Sequence, residues 1–576
     1  MYSALHSAVR FGGFELDAGA GELRKGKKRL HLPPQPLKVL CLLVSRAGQL
    51  VTRDELRQQL WHTDTFVDFE QGLNVCVRQI REVLSDSADA PRFVETVPRR
   101  GYRFIAHQIR IPLQRSIHSL AILPFENSSG DPDLEYLGDG IAESLINSLS
   151  AIESLRVVPR AVAFRCKGRN DLEAVGRELN ISAAVTGRIV SQDRRINVQA
   201  ELVDLASESQ LWGQHYHTQG ADVFEAQDKI SREICDHLRL HLTAADTQRL
   251  KKRYTHNPDA YHLYLKGRFC FEKRTQLGLR KAIEYFEKAI EKDSNYALAY
   301  AGLADCYTLL GCGTYGALPA KSATSRASAM ALQAVAADDS LAEAHTSLAF
   351  VRFRFDWDWS EAEKEFQRAI KLNPRYGRAH HWYALFLAAM DRHSNALHAI
   401  KRAQELEPLS LPATTAEGRI LHFARRYDEA IERFQNVLDL DPNFIPAHFD
   451  LGASYQQKHM YKEALNQYQT CAALSGGCLI YVAAMAEAYA RLGRRDEAFK
   501  ILGEIRAASA KQYLASNDVA LIYTALGMQD EAFSWLEKAY EQRDASLAWS
   551  KVAPECDPLR SDPRFNNLLR RMKLTA

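Results

Sequence analysis

Four arginines in two neighbouring segments carry the most specific chemistry of this chain. Arg78 and Arg81 lie in Asp-Phe-Glu-Gln-Gly-Leu-Asn-Val-Cys-Val-Arg-Gln-Ile-Arg-Glu-Val-Leu, residues 68–84. Arg99 and Arg100 lie in Arg-Phe-Val-Glu-Thr-Val-Pro-Arg-Arg-Gly-Tyr-Arg-Phe, residues 92–104. In the first segment Leu73, Val77, Ile80 and Leu84 recur at steps of four, three and four, which marks the core face of a helix. Outside that stripe stand Asn74, Val75, Arg78, Gln79 and Arg81. Arginine forks onto guanine or clamps phosphate, Asn and Gln bond adenine, and Val meets a thymine methyl. The second segment reads as a hairpin with Arg99 and Arg100 at its tip, where a narrow minor groove attracts cations. A solvated helix face is the competing account of the same charges. A major-groove helix beside a basic hairpin is the pattern expected of a DNA reader.

The elements that must position these residues precede them. Phe11–Asp17 alternates and reads as a strand, and Glu22–Leu32 as a hairpin turning at Gly26. Pro33 and Pro34 open a helix through Leu37, Leu40, Leu43 and Val44, and Gly48 ends it. Thr52 is an expected N-cap, with Glu55 completing a capping box. That second helix runs through Leu56 and Leu60 to Trp61. The third spans about Glu70 to Leu84, and a hairpin from Arg92 to Ala106 closes the unit.

Strands, three helices and a basic hairpin resemble the winged-helix output domain of OmpR/PhoB-type response regulators. The closer likeness is to CadC-like regulators, in which such a domain starts the chain. It covers about residues 9–107, within an expected domain 1–110, and rests on the 74–84 helix followed by Thr-Val-x-x-x-Gly-Tyr-Arg-Phe at 96–104. The resemblance implies that Arg78 and Arg81 match basic positions that touch DNA. Gln79 stands where the family often has arginine, so base preference is expected to differ. The family often carries an arginine where this chain has Pro98, which moves the inserted side chain to Arg99 or Arg100. Thr96 and Tyr102 match phosphate-bonding positions, and Thr52 and Trp61 match backbone contacts near the second helix. Core packing is the rival role for Trp61 and Tyr102. The family's receiver domain with its phosphorylatable aspartate is not expected before residue 9, so phosphorelay is expected to be family context only.

Residues 116–245 alternate strands and helices, the mark of a small α/β domain. Ser119–Phe125 and Arg156–Arg160 read as strands, Ala183–Val190 and Ile196–Asp204 as a hairpin around Gln192-Asp193, and Trp212–Tyr216 as a further strand. Helices are expected at 139–149, 171–179 and 223–241. The region looks like a TolB-N-terminal-like domain. Gly138-Asp139-Gly140 is read as preceding a helix N-terminus, where free amides attract anions; an Asp N-cap is the plainer account. His215 and His217 alternate on a strand without a third ligand and read as surface residues.

From about 257 to 576 a period of 34 residues governs the chain. Pro374, Pro408 and Pro442 keep it, as do Ala362, Ala396, Ala430, Ala464, Ala498 and Ala532. This is the tetratricopeptide period, with small residues where paired helices cross. About eight units fit from near Asp259, with an insertion at Gly311–Pro319. The tail Asp557–Phe565 resembles the segment that closes such arrays. Trp357 and Trp359 are expected to pack between helices.

Composition agrees with this division. The chain's 576 residues exceed one ordinary core, and 46% hydrophobic with 25% charged residues is usual for globular protein. The net charge is +3, but residues 1–110 hold 17 Lys/Arg against 12 Asp/Glu, so the basic excess sits on the DNA-reading end. Ten cysteines form no CxxC pair, and no His pair completes a zinc site. No signal peptide or membrane-length apolar run is found. In the α/β region no nucleophile elbow, P-loop, metal motif or paired catalytic carboxylates are found, which argues against an enzyme sited there.

The expected architecture is therefore multidomain: a winged helix-turn-helix (α+β), a small α/β domain and an all-α repeat solenoid. The expected protein is a cytoplasmic, DNA-binding transcription regulator without catalytic, cofactor or metal site. Its expected partners are double-stranded promoter DNA, a protein or peptide in the repeat groove, and a second copy as a homodimer, with no membrane contact. The alternative is a tetratricopeptide scaffold for which DNA binding is secondary.

Overall fold

The structure, a computed structural model, describes residues 7–574 except 18–21, 27, 61–68, 107–108, 113–116, 118, 132–133, 151, 153–154, 170, 193–194, 206, 208, 220–222, 239–253, 313–317, 409 and 509–511. Two compact units divide the chain, Met1–Ser116 and Ile117–Ala576.

In the first unit, β1 (Ser7–Phe11), β2 (Phe14–Asp17), β3 (Glu22–Lys25) and β4 (Lys28–Leu30) lead to α1 (Pro34–Ser45). Then come β5 (Leu50–Thr52), α2 (Arg53–Leu60), α3 (Phe69–Leu84), β6 (Val94–Val97), β7 (Gly101–Phe104) and β8 (Ile109–Pro112). One antiparallel sheet has the order β4-β3-β2-β1-β8; β5-β7-β6 form a second, three-stranded one. Phe11–Asp17, expected as a single strand, is instead a hairpin. Gly12 and Gly13 take φ of +48° and +85°, open to glycine at no steric cost, and a Cβ on Gly12 would lie 2.4 Å from the Phe93 ring. The turn brings Phe14 back beside Phe11. Phe11 meets Phe104 edge-on at 4.9 Å, and Phe93 packs against both Phe11 and Phe14. The three helices close over this core through Val39, Leu40, Leu43 and Val44 of α1, Leu56 of α2, and Leu73, Val77, Ile80 and Leu84 of α3, all buried.

The second unit begins with β9 (Ser119–Ile122), β10 (Glu126–Asn127), α4 (Glu135–Ser150), β11 (Arg156–Val157), α5 (Arg160–Ala163) and α6 (Leu172–Leu179). The long strands β12 (Ala183–Gln192), β13 (Arg195–Asp204) and β14 (Ser209–Gln219) and the helix α7 (Val223–His237) follow. The sheet order is β11-β9-β12-β13-β14, parallel on the β11 side and antiparallel from β12 onward. Helix α4 starts at Glu135, a turn earlier than expected, because Tyr136 and Leu137 are buried and extend it. Gly138-Asp139-Gly140 therefore lies inside the helix, and both the anion site and the Asp N-cap are corrected. A Cβ on Gly138 would fall 2.2 Å from the Phe125 carbonyl oxygen, so that glycine serves strand-to-helix contact. Asp139 is buried, which raises its carboxyl pKa, and it accepts a hydrogen bond from Lys167 at 2.8 Å.

Eight helix pairs are described after that sheet: 258–272/276–292, 297–311/320–337, 342–351/359–372, 377–389/393–406, 411–423/427–440, 445–457/461–474, 479–491/495–508 and 516–525/529–541. The 34-residue period is a packing period. Ala362, Ala396, Ala430, Ala464, Ala498 and Ala532 are all fully buried, since only a small side chain lets paired helices approach this closely. Gly418 faces Phe434 and Gly452 faces Tyr468, each at a distance no Cβ could occupy. The first pair docks on the α/β sheet domain. Arg268 pairs with Glu143 of α4 at 2.6 Å, and the Tyr261 hydroxyl bonds Ser144 and donates to Gln227, both at 2.6 Å. Arg375, between the third and fourth pairs, donates to the carbonyls of Ser150, Ile152 and Leu155 and so caps the end of α4.

After the eighth pair come two 3-10 turns, Ala545–Trp549 and Pro554–Leu559, and a last helix, Pro563–Arg571. They run back across the array. Trp359 donates to the carbonyl of Met572 at 2.8 Å, and Trp357, buried, packs in the same cluster as Phe565 and Leu568. The paired tryptophans thus hold the tail, besides packing between helices.

Candidate nucleic-acid interface

The capping box that starts α2 is reciprocal: the Thr52 amide donates to Glu55 at 2.8 Å, and the Glu55 amide donates to the Thr52 hydroxyl at 3.2 Å. The Thr52 amide, the Thr52 hydroxyl at 3.0 Å and the Arg46 guanidinium hold the Glu55 carboxyl below the usual carboxylate range. The Thr52 hydroxyl is thereby committed within the unit. The Arg53 amide donates to the Arg100 carbonyl at 3.1 Å, tying the start of α2 to the hairpin tip.

At that tip Arg99 takes φ of +63° and the Arg100 amide closes the turn on Val97 at 3.0 Å. Gly101 is required next, since a Cβ there would lie 2.1 Å from the Val51 carbonyl oxygen. Arg99 and Arg100 are both exposed.

On α3, Gln71, Asn74, Val75, Arg78 and Glu82 form one exposed stripe. Val75 is 37% exposed, an apolar side chain left in water on the face expected to read bases. The Arg78 side chain is 71% exposed, with Glu82 at 3.8 Å as its neighbour one turn on. Such a contact is too exposed to hold the guanidinium. Gln79 is half-buried at the rim of the stripe.

Arg81 differs from Arg78. It turns toward the hairpin and donates to the Val94 carbonyl at 2.9 Å and the Thr96 hydroxyl at 2.8 Å. Its Nε is buried without a partner. The structure places Arg81 and Thr96 on each other, as a brace between α3 and β6. Tyr102 is 3% exposed; its hydroxyl donates to Asn74 at 2.9 Å and accepts from Arg53 at 3.3 Å. Its ring is core, and only its oxygen reaches the face. Trp61 lies outside the described residues.

Sequence reading missed three positioning residues. Arg53 pairs with Glu70 and covers the Tyr102 ring at 5.3 Å, so it joins α2, α3 and β7. The Asp86 carboxylate accepts from the amides of Arg92, Phe93 and Val94, which fixes where the hairpin starts. An Asp in the loop after a helix was the available signal for Asp86. None existed for the Arg53–Glu70 pair, which spans separate elements.

The arrangement is an exposed helix stripe with an exposed cationic hairpin tip, both held by buried polar contacts. Residues 26–104 match the family described as transcriptional regulatory protein, C terminal. The first unit carries a domain of that family, and the fold is the winged helix expected of it. Residues 116–233 match the HilA/YgeH-like transcriptional regulator second domain, and residues 418–458 a TPR repeat.

Among individual relatives, the transcriptional regulator HilA of Salmonella typhimurium is 24% identical over 67% of this chain and 68% of its own length. A Rhizobium meliloti protein carrying the name adenylate cyclase 3 is 34% identical over 32% of each chain. The KDP operon transcriptional regulatory protein KdpE of Escherichia coli is 28% identical over 17% of this chain and 43% of its own. The chain thus spans about a third of the Rhizobium meliloti relative and about two thirds of HilA. Among the described residues no helix is long and apolar enough to cross a membrane.

Proposed function

We propose that this protein is a sequence-specific, DNA-binding transcriptional regulator. Its winged helix, within about residues 1–110, reads promoter DNA; its α/β domain, about 116–245, and its repeats, about 257–576 with a closing segment, receive the signal. The observation that carries this reading is the exposed stripe of α3 beside the exposed Arg99–Arg100 tip. Arg78, Val75 and the amide nitrogen of Asn74, whose oxygen accepts from Tyr102, are assigned to base edges and Arg99 or Arg100 to the minor groove, with Gln79 at the margin. Arg81, Thr96 and Tyr102 are assigned to positioning, since their polar atoms already bond within the unit. Thr52 is assigned to positioning as well, since its amide and hydroxyl both bond Glu55. We place the protein in the cytoplasm, acting as a homodimer on paired half-sites, without a reaction of its own.

Selection of bound duplexes from a random DNA library by the full chain tests this, with Arg78→Ala in parallel. Enrichment of a motif that the variant loses is the expected result. Enrichment that is the same for both chains would remove Arg78 from base reading, and none for either would remove DNA reading altogether. The second reading is a protein scaffold, which the eight helix pairs favour. Salt separates the two, because binding through phosphates weakens steeply as salt rises.

A further inference from the structure

The tail 545–560 lies on a shelf made by the ends of first helices in three repeat pairs. At the third pair the helix 342–351 widens into a π-turn over Arg352–Asp356, a distortion that recurs at functional sites. The turn places Phe353 against the Trp549 ring at 5.4 Å and the Arg354 guanidinium over that ring at 4.8 Å. Arg354 is 5% exposed and its Nε has no hydrogen-bond partner. At the fifth pair Phe423 stacks on Trp549 at 5.1 Å. Arg425 donates to the Val552 carbonyl at 2.7 Å and pairs with Asp557 at 2.9 Å. His422 meets Glu555 at 3.2 Å, and Gln457 of the sixth pair donates to the same carboxylate at 3.3 Å.

Six side chains of the shelf therefore meet four features of the tail: a tryptophan ring, a backbone carbonyl and two carboxylates. The tail buries Leu547, Ala548, Val552 and Leu559 as apolar cover, and adds ions that lose solvation their pairing only partly returns, which apolar cover alone does not require. Ionic and aromatic complementarity of this kind is what peptide receptors use. The occupant is two short 3-10 turns rather than a long helix, each closed by its own local bonds, as with Ser550 to Leu547 and Cys556 to Ala553.

We propose that the shelf of Phe353, Arg354, His422, Phe423, Arg425 and Gln457 is a receptor for an acidic, tryptophan-bearing peptide segment. In this chain its own tail fills it, and a partner presenting a tryptophan followed six and eight residues later by carboxylates, as in Trp549, Glu555 and Asp557, engages the repeats by exchanging with that tail. The shelf thereby narrows the expected groove partner to one chemistry. It stands independently of the DNA reading.

The test uses the intact chain and a labelled synthetic peptide of residues 545–558. A tethered tail competes at an effective concentration near the millimolar range, so the wild-type chain should bind the peptide weakly. The Trp549→Ala/Glu555→Gln chain, with its own tail weakened, should bind it about tenfold more tightly or better. Adding Arg425→Ala should abolish that gain, as should a Trp→Ala change in the peptide. Equal binding by all chains, or none, overturns the proposal. Hydrogen exchange on the wild-type chain decides the matter even where the double variant fails to fold. Amides of Ala548–Cys556 should exchange about tenfold faster than those of the helix 411–423, through a local opening. Equal protection would make the segment permanent core and overturn the proposal.

Discussion

Arginine has opposite fates in the two units. On the proposed DNA-reading side of the first, Arg78, Arg99 and Arg100 are exposed, and Glu82 stands 3.8 Å from Arg78. In the second, a chain of paired charges crosses the interior: Arg160–Glu143–Arg268–Glu272–Arg378–Asp305, each link between 2.6 and 3.1 Å. Arg378 reaches from the fourth pair to Glu272 of the first and Asp305 of the second, with 11% of its side chain exposed. One set is left with hydrogen-bonding capacity for a ligand, and the other has already used it to hold domains together. Residue type alone does not separate recognition from architecture; satisfied donors do.

The comparison breaks first on stability. Arg378→Ala takes the cation from buried Asp305 and leaves Glu272 to Arg268 alone, and should cost about 3–5 kcal/mol, read by denaturant unfolding of the full chain. Arg78→Ala should stay within about 0.5 kcal/mol in the same assay. The second break is on DNA: Arg78→Ala should cost about 1–3 kcal/mol of affinity for a selected site and relax preference at one base pair. An unchanged affinity would make its exposure ordinary solvation. Third, Arg81→Ala should weaken binding without losing preference at any base. Its effect should be non-additive with that of Arg99→Ala, with about 0.5–3 kcal/mol of coupling in a double-mutant cycle. Additive effects would show that the brace does not orient the tip. Fourth, Arg100→Ala should lower the salt dependence of log affinity by about one phosphate contact.

The smallest effect concerns pH. The folded Glu55 carboxyl titrates below its ordinary range, held there first by the Thr52 amide. Its contribution is therefore complete above the unfolded value, near pH 4.5, and is lost as pH falls through the folded one. Glu55→Gln should remove that acid-side loss and cost no more than about 1 kcal/mol at neutral pH, seen as a shift in the thermal midpoint of residues 1–116.

The legible parts were those governed by local spacing. The stripe Leu73, Val77, Ile80 and Leu84 lies on the buried side of α3, and Cys76 joins it. Gly26 turns its hairpin with φ of +58°, and Thr52 with Glu55 makes the expected box. Misreadings came where burial overrode a local signal. Phe11-Gly-Gly-Phe alternates like one strand, yet two left-handed glycines fold it back because Phe14 gains the aromatic core. Gly138-Asp139-Gly140 looks like a loop, yet helix α4 runs through it because Tyr136, Leu137 and Ile141 are all buried.

By itself the sequence determined the helix and strand periods, the caps, and the 34-residue rhythm of small buried side chains, all set by neighbours within a turn or a repeat. Only the tertiary structure decided that Arg81 faces the hairpin while Arg78 faces solvent, that Arg375 caps a helix more than two hundred residues away, and that the tail returns to the third pair. Those choices depend on which donors and acceptors the fold brings within about 3 Å of each other, and no spacing along the chain encodes that meeting.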